Sequence, residues 1–185
     1  SSKKIAKDLK EQGVILSSAN SINFGRLAPQ IGYYFATYCM LVNQNEIKMG
    51  DKINFVVPTG NFGDILAGYF AKCMGLPVNK LICASNANNV LTDFINTGIY
   101  DRRREFYKTI SPSMDILVSS NLERLLYLLS DGNADEVAGY MKDLSEKGFY
   151  KVSDALLSKL KETFVAAYCD DDTTLKTIKE VYDSH

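Results

Sequence analysis

The hydrophobic positions of this chain follow two rhythms: short runs suited to strands, and spacings of three and four suited to helices. The two meet between residues 53 and 75. Ile53, Phe55, Val56 and Val57 form a β-branched and aromatic run of the kind a covered sheet takes, and Pro58 ends it. Gly60 and Gly63 then bracket Asn61 and Phe62. Beyond them Phe62, Ile65, Leu66, Tyr69, Phe70, Cys73 and Met74 fall on one stripe of a helix. Upstream, Ile5 and Leu9 are the apolar positions of a short polar helix over 1–11, ended by Gly13, and Val14, Ile15 and Leu16 predict a brief buried strand. Leu27, Ile31, Tyr34, Phe35, Tyr38, Leu41 and Val42 mark a long helix, with Pro29 tolerable in about its first turn. Downstream the pattern predicts a strand over 78–84, a helix over 90–96, helices over 121–130, 135–147 and 153–162, a strand over 164–168 and a last helix through Tyr182. The stretch 98–113 follows neither rhythm. Strand and helix alternating in this way predict an α/β fold: a three-layer arrangement, with a parallel sheet, right-handed crossovers and helices on both faces.

Composition changes this picture only by exclusion. The 185 residues suit one domain with a sizeable core. A net charge of −1 leaves no electrostatic footprint for nucleic acid or an anionic membrane, and no apolar run is long enough to span a bilayer, so neither is expected as a partner. Cys39, Cys73, Cys83 and Cys169 are scattered singly. They read as buried free thiols of a reducing compartment, the cytoplasm, and not as a disulfide or zinc framework. The only histidine is His185, the last residue, which nearly excludes His-dependent catalysis within the chain.

Two polar turns carry the candidate chemistry. The glycine turn at 60–63 aims the opening N–H groups of the following helix, and its positive dipole end, at whatever lies above the strand. Such an end favours an anion, most often a phosphate, although paired glycines also serve turn geometry alone. The turn matches neither G-x-G-x-x-G nor a P-loop. The second turn, S-S-A-N-S-I-N-F-G-R over 17–26, sets Ser18, Asn20, Ser21 and Asn23 between an apolar triplet and the long helix. Arg26 follows as a planar cation suited to phosphate or carboxylate. Capping a helix needs one such residue and not four, which favours a binding loop. Residues 85–89 form a third polar loop, read as the cap of the next helix. Arg102, Arg103 and Arg104 read as a solvated cluster, and Asp170, Asp171 and Asp172 as acids favoured at a helix start, not as metal ligands.

Taken together, the two turns make the chain resemble threonine synthase. The matching motifs are S-A-N-S-I-N-F-G-R-L-A-P-Q-I-G-Y-Y-F at 18–35 and V-P-T-G-N-F-G-D-I-L-A-G at 57–68, with N-A-N-N at 86–89, S-P-S-M-D-I at 111–116 and S-N-L-E-R-L-L-Y at 120–127. The resemblance covers most of the chain, less distinctively after Asn133. It implies a pyridoxal-phosphate enzyme of fold type II that converts O-phospho-L-homoserine and water to L-threonine and phosphate. It assigns Gly60, Asn61, Phe62, Gly63 and Asp64 to the cofactor phosphate, chiefly through backbone N–H groups. Asp64 stands where many relatives have Asn, and a carboxylate fits there only if it points away. The same resemblance assigns Asn20, Ser21 and Arg26 to the substrate phosphate. The Arg26 loop argues against the threonine dehydratase and cysteine synthase relatives of this fold, whose substrates carry no phosphate there. The alternative of another class is a non-catalytic, threonine-synthase-like binder of phosphorylated ligands. The family's Schiff-base lysine lies in an F-K-D context that this sequence lacks, so no catalytic residue is assigned and the lysine is expected outside the chain. The chain thus reads as an interior piece whose partners are the missing N- and C-terminal parts of its own protein.

Overall fold

The computed structural model describes residues 9–14 and 20–185. Of the predicted helix over 1–11 only residues 9–11 are described, and these are helical; the predicted strand over 14–16 lies outside the described residues except for Val14. In chain order the elements are α1 (Phe24–Asn43), β1 (Ile53–Pro58), α2 (Gly63–Cys73), β2 (Val78–Ser85), α3 (Val90–Thr97), β3 (Ile99–Asp101), α4 (Leu122–Leu129), α5 (Ala134–Glu146), β4 (Phe149–Lys151), α6 (Asp154–Thr163), β5 (Phe164–Tyr168) and α7 (Asp171–Ser184). A 3-10 turn at Pro112–Met114 lies between β3 and α4.

β1, β2 and β5 form a parallel sheet in that order, with Val57 beside Cys83 and Cys83 beside Ala166. The sheet carries helices on both sides, as the alternation predicts. Leu66 and Leu81 are fully buried, and burial of such a side chain contributes roughly 1.5–3 kcal/mol. Phe62 and Tyr69 of the turn and α2 place their rings 5.6 and 5.7 Å from that of Phe164 on β5, which pins the helix across the sheet.

Several expectations are corrected. β1 is covered on one face only: Val57 is buried, whereas Val56 on the other face is 64% exposed. Pro29 is the sixth residue of α1, one turn deeper than expected. Only Cys83 of the four free thiols is buried; Cys39 and Cys73 are exposed. Burial pushes the Cys83 thiol up to about 11, because the thiolate loses its hydration there. The irregular stretch contains β3, which pairs antiparallel with β4 through Tyr100 and Tyr150, their rings stacked 5.3 Å apart. The arginine cluster is tied down: Arg103 pairs with Asp101 at 2.8 Å over the Phe149 ring, and Arg104 pairs with Asp93 at 2.9 Å. Asp170 caps α7 as read, accepting from the Thr173 N–H at 2.8 Å.

Candidate functional site

The run of β1 ends at Pro58, and the chain must turn within four residues to begin α2 at Gly63. The turn is made at Phe62, which holds φ at +63°, while neither Gly60 nor Gly63 has positive φ. The glycines serve close approach instead. A Cβ on Gly60 would stand 2.9 Å from the Ser113 carbonyl oxygen, and one on Gly63 would meet Asn121 Nδ2 at 3.5 Å and Ser21 Cβ at 3.7 Å. The buried Phe62 ring points into the core, so this residue offers its backbone to the turn's outer side.

Around the turn, polar side chains hold the backbone in place. Ser119 Oγ donates to the Gly60 carbonyl at 3.0 Å. The Asn121 N–H donates to the Asn61 carbonyl at 3.1 Å, and Asn121 Nδ2 donates to the same oxygen at 2.9 Å. Ser113 is brought beneath Gly60 by the 3-10 turn, which is anchored in its own right. Asn86 Nδ2 and Asn88 Nδ2 donate to Asp115 Oδ1 at 2.7 and 3.0 Å, and the Thr109 N–H and hydroxyl donate to the same carboxylate. Desolvation alone would raise the Asp115 carboxyl, but these donors outweigh it and hold the group below its usual range. The polar loop over 85–89 is therefore a brace, and Asn89 makes no side-chain cap on α3. Its side-chain oxygen accepts instead from Arg104 Nη1 at 2.8 Å.

Among the described residues, no carbonyl or side chain accepts from the N–H groups of Asn61, Phe62, Gly63 or Asp64. The first partnered N–H of this helix start is that of Leu66, which donates to the Phe62 carbonyl at 3.1 Å. These donors stand at the positive end of an eleven-residue helix.

The second polar turn opens on the same cleft as the first. A cavity of about 370 Å³ at the carboxyl end of β1 is lined by Asn20, Ser21 and Arg26 together with Gly60, Asn61, Phe62, Gly63 and Asp64. All eight residues singled out from the sequence therefore line one cavity. Within the loop, Asn23 is the cap of α1 and accepts from the Gly25 N–H at 2.9 Å. Asn20 Oδ1 accepts from the Ile22 N–H at 3.1 Å, which folds the loop on itself. Ser18 lies outside the described residues. The structure adds Gln30, Thr59 and Ser113 to the lining. A larger cavity of about 520 Å³ between Phe70, Tyr127 and Val137 is more apolar and holds none of the turn's donors.

Asp64 is the one acid in this lining. The Tyr34 hydroxyl donates to the Asp64 carbonyl at 2.9 Å and lies 3.4 Å from its Oδ1. Partial burial raises the carboxyl above its usual value, and the Tyr34 contact opposes this only in part. The Tyr34 hydroxyl is itself raised far above its usual value, first by burial and then by the Asp64 charge.

As for metals, no cluster of three or more His, Cys, Asp or Glu side chains suited to one occurs among the described residues. Nor is any helix of the described residues long and apolar enough to cross a membrane. Among the described residues, Lys52, Lys72 and Lys80 line a cavity beside Val78, the first residue of β2, away from the cleft at the other end of the sheet.

No protein-family model matches the chain. Comparison with curated proteins finds human threonine synthase-like 1 at 47% identity over 175 residues, which cover 94% of this chain and 24% of that protein. The threonine synthase of Saccharomyces cerevisiae is 40% identical over 178 residues, covering 91% of this chain and 34% of that enzyme. Among solved structures, the pyridoxal-phosphate-bound threonine synthase from Brucella melitensis superposes with a TM-score of 0.85 at 42% identity, over 91% of this chain and 35% of that one. The chain thus spans about a quarter to a third of the length of these relatives.

Proposed function

Because the chain is homologous to threonine synthases over nine-tenths of its length and shares their fold, we propose that it forms the phosphate-gripping face of a pyridoxal-phosphate-dependent threonine synthase. The whole protein converts O-phospho-L-homoserine and water to L-threonine and phosphate, as a carbon–oxygen lyase acting on a phosphate. The observation that carries this reading is the single cleft into which both polar turns open. The N–H groups of Asn61, Phe62, Gly63 and Asp64 hold the cofactor phosphate, and Gly60 keeps the floor of the turn free of side chain. Asn20, Ser21 and Arg26 hold the substrate phosphate from the neighbouring turn, Arg26 by a charge-assisted contact. The cofactor, when bound, supplies the electron sink. The residues of this chain orient both phosphates about the reacting carbons between them.

The test is Arg26→Ala in the full-length protein. Loss of a charge-assisted phosphate contact costs on the order of 1.5–3 kcal/mol, which raises KM for phosphohomoserine roughly 10- to 100-fold while pyridoxal phosphate still binds. An unchanged KM overturns the substrate assignment.

A second reading has its own observation. Identity to human threonine synthase-like 1, at 47%, exceeds that to the yeast enzyme, at 40%. On this reading the same cleft binds phosphorylated ligands without turnover. The two readings part at the F-K-D lysine of the full-length protein, present in the first and absent in the second.

A further inference from the structure

Asn121 is fully buried at the start of α4, yet every polar atom of its side chain is engaged far along the sequence or by its own helix. Its Nδ2 donates to the Asn61 carbonyl at 2.9 Å and to the Ser21 carbonyl at 3.0 Å, residues 60 and 100 positions away. Its Oδ1 accepts from Arg124 Nη1, and Arg124 Nη2 reaches on to the Ile22 carbonyl at 2.6 Å. One amide thus grips the backbone of both polar turns, and one guanidinium fastens that amide to the second of them. Gly63 fits between them: a Cβ there would stand 3.5 Å from Asn121 Nδ2 and 3.7 Å from Ser21 Cβ.

We infer that Asn121, braced by Arg124, is a positioning residue that fixes the separation of the two anion-binding turns and so selects a ligand whose two phosphates span both. This rests on the two-phosphate reading of the cleft. Neither residue lines the cavity, so the effect acts through the turns. A ligand with one phosphate needs one turn in the right shape. A ligand with two gains its second contact intramolecularly, and only when the spacing matches.

The experiment uses the full-length protein and two probes, pyridoxal phosphate and its reduced secondary-amine conjugate with phosphohomoserine, with dissociation constants measured by calorimetry. Asn121→Asp keeps the shape and the Arg124 contact but removes both donors. We expect it to bind pyridoxal phosphate nearly as the parent does and to lose on the order of 100-fold for the conjugate. Arg124→Lys keeps a cation but loses the forked contact, and gives the same split should the first variant fail to fold. Equal loss of both probes, or loss of neither, overturns the inference and leaves Asn121 as ordinary scaffolding. Arg26→Ala separates the two ways of failing. If it too leaves the conjugate no weaker, the two-phosphate reading itself is wrong.

Discussion

Asp64 shows how one side chain at the turn adjusts the site. Its carboxyl is raised by partial burial, so the folded protein holds that proton to a higher pH than the unfolded chain does. Such a group is neutral in its effect below the unfolded value, about 3.9, grows unfavourable between that value and the folded one, and is constant above. Asn at this position keeps an acceptor for Tyr34 and does not titrate. We therefore expect Asp64→Asn to be more stable than the parent by a margin that widens as pH rises above about 4 and then levels off, read from thermal melts across pH. A margin that shrinks with rising pH would contradict the burial argument. The anion turn itself was legible at this scale because its signals are local: two glycines and an apolar stripe within fourteen residues of one another. Phe62 was not, since nothing in a phenylalanine announces positive φ. Asn121 stood within a recognisable motif, but its work is done by contacts 60 and 100 residues away, which no local pattern encodes.

At the scale of elements, α1 and α2 meet where Gly68 lets the Tyr34 ring lie against the helix. A Cβ on Gly68 would stand 2.6 Å from Tyr34 Cε1 and 3.0 Å from Leu81 Cδ2. The ring cannot yield freely, because it packs edge-on against Phe55 at 4.8 Å and its hydroxyl is held by the Asp64 carbonyl. Gly68→Ala should destabilise the protein by about 1–3 kcal/mol in urea unfolding. Gly139 offers the opposite case, since it lies on α5 with nothing within 4 Å of its Cβ position. Gly139→Ala should stabilise by roughly 0.5–1 kcal/mol, through helix propensity alone. The pair separates packing from propensity, and two changes of the same sign would refute the packing account. The long helices and the parallel strands were readable because each repeats its period several times. β3 and β4 are three residues each, too short for any alternation, and they find each other across 47 intervening residues through the stacked tyrosines.

For the molecule as a whole, the anion cleft and the Lys52, Lys72 and Lys80 group lie at opposite ends of the sheet. Lys72 sits with Lys52 and Lys80 near the start of β2, and its ammonium is lowered first by burial and then by those neighbours. A lysine placed there does not serve a cofactor held at the Gly60 turn. The chain by itself should bind pyridoxal phosphate without a saturable one-to-one lysine adduct in the visible spectrum, and should release no phosphate from phosphohomoserine. Turnover by the isolated chain would show that it carries its own catalytic lysine. Its surface should also favour self-association. Val56 on β1 and Leu175, Ile178, Val181 and Tyr182 on α7 present apolar groups to solvent, which sedimentation at increasing concentration will register.

The uneven exposure of the thiols has a practical consequence. Cys83 lies on the central strand with its neighbours Val57 and Ala166 on either side, while Cys39 and Cys73 stand in solvent. An alkylating reagent added to the native protein should mark the two outer positions at once. Cys169, which is half-buried, follows them, and the reagent can reach Cys83 only when β2 parts from its partners, so the slow appearance of the Cys83 label, followed by peptide mass, becomes a clock for the opening of the sheet. Ligands that fill the cleft at the end of β1 should slow the clock in proportion to how tightly they bind, leaving the two fast positions untouched.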